Sequence, residues 1–238
     1  MALDASTLLF TGVLVRLVAA GVALIAWYLH RDVVCLLGWS AAMFLSAIAM
    51  VAGSFRGAED AFGVALLSSL LFVAGYALMW TSMRRFSDER LTPVRQLLIV
   101  LAVIGVFAFL SILARHFGMP RQVRSALFAV FIAGLTVMAA VETWRGYRND
   151  RLRSRYITAG ALAGIALSRL VRLGFIVLQA AGAVSPRTGE LVQSYALYLA
   201  IFFLPVATVG LVLMAQEFAD RSTRTAGTSN RSASSISR

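Results

Sequence analysis

Seven stretches of about 20 apolar and almost uncharged residues follow one another along the chain, near 7–29, 33–53, 61–81, 97–114, 125–144, 156–179 and 191–213. Each is long enough to cross a hydrocarbon core of roughly 30 Å as a helix. Lipid offers no partner to backbone N–H and C=O groups, so a spanning segment must satisfy them within itself. The two-residue alternation of a barrel strand is missing, which leaves helices. The expected fold is therefore all-α: a polytopic membrane protein of seven transmembrane helices. Its narrowest boundary is the first, where only His30, Arg31 and Asp32 make the turn. Composition agrees, because 60% hydrophobic residues with a mean hydropathy of +0.81 lie outside the range of a soluble domain.

All 22 basic residues are arginine, and lysine is absent. Arg16, Arg169 and Arg172 fall inside spans. Of the rest, 14 follow the first, third and fifth spans or lie in the tail, and five lie on the other side. The positive-inside rule then puts the N-terminus outside and the C-terminus in the cytoplasm, with a bacterial inner membrane as the expected location. The start MALDASTLLF carries an acid and no basic n-region, so the first span reads as retained and not as a cleaved signal peptide. Topology and attraction to anionic headgroups account for the net charge of +11, and no nucleic-acid partner is expected. The single cysteine, Cys35, excludes an intramolecular disulfide and reads as a small buried apolar residue.

What is missing also excludes functions. Without lysine there is no retinal Schiff base and no P-loop. His30 and His116 sit at span ends on opposite sides, so they cannot share a haem or a metal. There is no GxSxG, no HExxH and no close pair of acids within a span. The chain is expected to be no enzyme, with no cofactor and no metal.

The segment "SRLVRLGF", residues 168 to 175, places Arg169 and Arg172 between strongly apolar runs. At the helical rise Arg169 lies roughly 20 Å, and Arg172 about 24 Å, from the cytoplasmic start of the sixth span. Arg16 lies about 13 Å from the outer start of the first. All three then occupy the outer half. Gly160, Gly164 and Ser168 form a row of small residues on which another helix can approach, and Arg172 continues that row by one step. Arginine at mid-bilayer costs about 2.5–3.5 kcal/mol on insertion scales, so such groups face a bundle interior or a wet cavity. Snorkelling to the outer headgroups is the other reading, for Arg172 first and also for Arg169 and Arg16. Glu142, near the cytoplasmic end of the fifth span, does not match their depth. The run "LVQSYALYL" offers Gln193, Ser194, Tyr195 and Tyr198 as hydrogen-bonding neighbours. The expectation is a cationic pocket, open outward, for a carboxylate or lipid headgroup. Pro205 in "IFFLPVATVG" is expected to kink the seventh helix as a hinge, unless it is simply tolerated there. Trp27, Trp80 and Trp144 read as an aromatic belt.

Beyond the last span, "LMAQEFADRSTR" continues as a solvated helix, and 222–238 reads as a disordered cytoplasmic tail after the membrane domain of 1–221. The run from His30 to Phe86 has a tryptophan early in its first helix, Trp39, a short Arg-Gly exit loop, and a closing basic patch before Phe86. With the exit "LVLMAQEFADR", it resembles the N-terminal membrane region of bacterial diguanylate cyclases that carry several transmembrane helices ahead of a GGDEF domain; histidine kinases carry similar modules. The resemblance implies a membrane sensory module. The GGDEF motif is absent, so the chain is expected to act as a truncated product or as a stand-alone module working through a homodimer or a separate signalling partner. A small transporter or lipid-handling protein, and a structural scaffold, are the alternatives; membrane lipids are expected neighbours in each. A reporter that matures only in the cytoplasm, fused after Arg221, should be active, whereas the same reporter placed in the loop after the second span should not.

Overall fold

The structure, a computed structural model, describes residues 5–55, 62–87, 91–150 and 154–236, without the side chains of 5–6, 121, 147–150, 180, 186–187, 189–190, 193 and 222–236. It is all-helical over these residues: α1 (Ala5–Leu29), α2 (Val34–Ser54), α3 (Phe62–Ser87), α4 (Pro93–His116), α5 (Arg121–Asp150), α6 (Ser154–Ala180) and α7 (Pro186–Ile236). All seven are long and apolar enough to cross a membrane.

Helix ends follow capping chemistry where they depart from the apolar runs. α4 starts at Pro93, before the apolar stretch, because the Thr92 side chain accepts from the Arg95 N–H at 3.3 Å and proline suits the first helical position. α4 and α6 are closed by Gly118 and Gly182, whose φ values of 62° and 74° favour glycine. Past each glycine the backbone N–H returns to the last turn, Met119 to the Ala114 carbonyl at 2.9 Å and Ala183 to Leu178 at 3.0 Å. α7 is helical on both sides of Pro205, and its backbone continues to Ile236.

Six helices close into a ring in the order α1, α2, α3, α5, α6, α7 and back to α1. α4 stands outside, against α3 with a lesser contact to α5, and has the least buried span. Two contacts fasten it to α3. Near one end Gln96 donates to Thr81 and Ser82, both at 3.3 Å; at the other the Arg115 guanidinium lies 3.9 Å from the centre of the Phe62 ring. Because α4 crosses outside, α3 and α5 run in the same direction as ring neighbours, as do α7 and α1.

Small residues and a few interhelical hydrogen bonds hold the ring. Ala19, Ala23 and Ala26 bury one face of α1. Ser40 donates to the Ala20 carbonyl at 2.9 Å and Ser68 to Ala49 at 2.8 Å, tying α2 to α1 and α3 to α2. Across the ring, the buried Trp39 donates to Thr208 of α7 at 3.1 Å. The small-residue row on α6 is only partly used. Gly164 faces the Phe203 ring, and Ser168 is buried, but Gly160 is exposed with open space beside it. The closer approach of α6 and α7 lies at Gly210 against Thr158. The aromatic belt needs a similar correction: Trp144 is half exposed and stacks edge-on with Tyr156, whereas Trp80 is buried in the core, on the inward face of α3.

At Gly75 an added Cβ would meet Ser46 Oγ at 2.7 Å and the Ala42 carbonyl at 2.9 Å, so α2 and α3 touch there through backbone. Gly75→Val should cost about 1–3 kcal/mol as overpacking. Thermal unfolding in detergent should show a lower midpoint for Gly75→Val and an unchanged one for Gly105→Ala, whose site opens onto free space.

Candidate anion site within the helix ring

The three intramembrane arginines come together. Arg16, Arg169 and Arg172 line one cavity of about 330 Å³ at the end of the ring where α1, α3, α5 and α7 begin. Each ring helix contributes by its own periodicity: α1 Leu8, Leu9 and Arg16; α2 Ala49, Met50 and Gly53; α3 Ser68, Phe72 and Tyr76 at steps of four; α5 Phe128 and Ile132; α6 Arg169 and Arg172; α7 Ser194 and Leu197. α4 contributes nothing to the lining.

Arg16 is 3% exposed, which removes snorkelling as an account of it. Its Nη1 donates to the Gly12 carbonyl at 2.9 Å, and its guanidinium lies 5.9 Å from the centre of the Phe72 ring, a cation–π contact. One turn along α3, the buried Tyr76 hydroxyl accepts from Arg169 Nη2 at 3.5 Å and interacts with Arg16 as well. Tyr76 therefore sits between two guanidinium groups. Arg16 and Arg169 are near enough to repel each other, and so are Arg169 and Arg172. Arg169 Nε is buried without a hydrogen-bond partner. Among the described residues no carboxylate lines the cavity, and Glu142 lies near the far end of α5. Like charges gathered in an apolar surrounding are costly unless an anion joins them.

The neighbours expected from α7 are displaced by helical phase. Ser194 and Leu197, three residues apart, face the cavity, so Tyr195 turns away and is 66% exposed. Tyr198 is partly buried but lies outside the lining, and the Gln193 side chain falls outside the described residues. The α3 wall, with Tyr76 and Phe72, was not anticipated. Its signal was a tyrosine in the middle of "LLFVAGYALMW", where a hydroxyl requires a partner.

A second fully buried arginine, after Arg16, lies at the opposite end. Arg155, at the start of α6, is 1% exposed, donates to Ser87 Oγ at 3.2 Å and lies 5.0 Å from the centre of the Phe86 ring. Phe86 in turn meets Phe218 of α7 edge-on at 5.5 Å, and only a glycine at 146 leaves room for the guanidinium. This group fastens α3, α5, α6 and α7 together; among the clustered arginines of "RNDRLRSRY" nothing in the sequence marks it out.

Tyr76→Phe removes the acceptor of Arg169 and should lower stability by about 1–3 kcal/mol. Tyr195→Phe, on the outer face, should leave the unfolding midpoint in detergent where it is. No family model, no curated protein and no solved structure matches this chain.

Proposed function

We propose that the chain is a membrane-embedded sensory module that binds a small anionic or lipid-like ligand between Arg16, Arg169 and Arg172. One observation carries the reading. Three arginines from two helices converge on a cavity bounded by all six ring helices, with no carboxylate among the described lining residues. Charge of that kind attracts an anion.

The arginine distribution, read with the positive-inside rule, orients the chain with its N-terminus outside a bacterial inner membrane, so that the cavity opens outward. α7 is the element suited to carry a response. It reaches the cavity through Ser194 and Leu197, passes Pro205, joins the Arg155 group through Phe218 and continues as a helix toward Ile236. A sensory module of the kind the sequence resembles would pass its response along such a last helix, to a second copy of the chain or to a separate signalling partner. A transporter needs a polar route onward. The interior beyond the cavity is filled instead by Trp39, Met79, Met83, Leu211 and Met214, which favours a sensor.

Native mass spectrometry of the protein, taken gently from its own membranes, tests the reading. Wild type should carry a defined anionic adduct that Arg16→Gln/Arg169→Gln lacks. Adduct-free spectra from both proteins, each folded, would sink it.

A further inference from the structure

We infer that the cavity takes a single-chain amphiphilic acid, a carboxylate head on an apolar chain, gripped by Arg169 and Tyr76. The inference rests on the anion-site reading above and names its ligand class. Two kinds of wall carry it.

The first is the polar corner. Arg169 gives Nη2–H to the Tyr76 hydroxyl, and beside it the buried Nε–H has no partner. Nε and Nη2 share one edge of the planar guanidinium, the edge that matches a carboxylate. Tyr76 accepts from Arg169, which leaves its own O–H to donate. A carboxylate in the cavity takes a hydrogen bond from Tyr76 and meets the guanidinium of Arg169, which lines the same space. Arg16, held by Gly12 and Phe72, adds its charge to the same space.

The second is the apolar remainder of the lining. Leu8, Met50, Phe72, Phe128, Ile132 and Leu197 present apolar surface to the same space. A compact hydrophilic anion would leave those walls against its hydration shell, whereas an alkyl chain covers them. A cavity of about 330 Å³ lies at the small end of ligand pockets, which suits one chain better than the two of a diacyl lipid.

The test is calorimetric titration of the full chain, in an uncharged detergent, with decanoate, decanol, acetate and inorganic phosphate. Decanoate should bind about tenfold or more tighter than the other three, the worth of one charge-assisted hydrogen bond or a few buried methylenes. Arg169→Gln and Arg169→Lys should each weaken decanoate about tenfold, since lysine keeps the charge and loses the fork. Leu197→Trp, which fills the apolar side without touching a guanidinium, should weaken decanoate and leave acetate unchanged, and so remains readable if the Arg169 variants do not fold. Acetate or phosphate binding as tightly as decanoate, and lost in Arg169→Gln, would overturn the amphiphile and leave the anion site standing. Decanol binding as tightly as decanoate, or no anion binding at all, would overturn both. Displacement of decanoate by phosphatidylglycerol in nanodiscs at equal concentration would overturn the single-chain ligand in favour of a membrane lipid.

Discussion

In hydrocarbon, burying one leucine against another gains little over leaving both against lipid, so helices of this kind associate through close fit and through the few polar groups they can share. The ring obeys that constraint throughout. Alanines form the inner face of α1, Gly75 brings the α2 and α3 backbones together, and Gly210 does the same for α6 and α7. The polar contributions are hydroxyls bonded to carbonyls of the next helix, with Trp39 reaching across to Thr208. Many large apolar side chains face outward, as Phe10, Phe109 and Phe202 do.

Buried arginine is the exception to that economy, and each end of the ring resolves it differently. At one end Arg155 is fully enclosed, its charge spread over a hydroxyl and the face of Phe86, and it works as a fastener. At the other, three guanidinium groups surround open space, and their hydrogen bonds to protein leave Arg169 incompletely satisfied. The same residue type thus gives a structural joint where packing closes over it and the lining of a cavity where packing stops short.

The helices were legible because the hydrocarbon thickness dictates both the length and the composition of a span. The ring order was not legible, because α3 skips its successor to pair with α5, and no residue in α4 announces that it stays outside. Arg16, Arg169 and Arg172 could be chosen from sequence since each is costly where it lies. Their neighbours could not be chosen as reliably: a rotation of one residue along α7 separates Ser194 and Leu197 from Tyr195 and Tyr198, and a local run of polar residues does not fix that phase. Tyr76, Trp80 and Arg155 show the complementary failure. Their positions were read as ordinary sequence, as interface or as loop, and only the fold brings them inside.

The crossing of α4 outside the ring has an electrostatic consequence. With α3 and α5 parallel, and α7 and α1 parallel, four of the six ring helices begin at the arginine end and only α2 and α6 finish there. Helix beginnings carry about half a positive charge and helix ends about half a negative one. Within the ring, leaving aside the end of α4 that lies outside it, the two extra beginnings amount to about one elementary charge built from backbone alone. An up-and-down ring of strictly alternating helices would cancel it; by routing one helix around the outside, the chain adds peptide dipoles to the field of its arginines without spending another charged side chain in lipid.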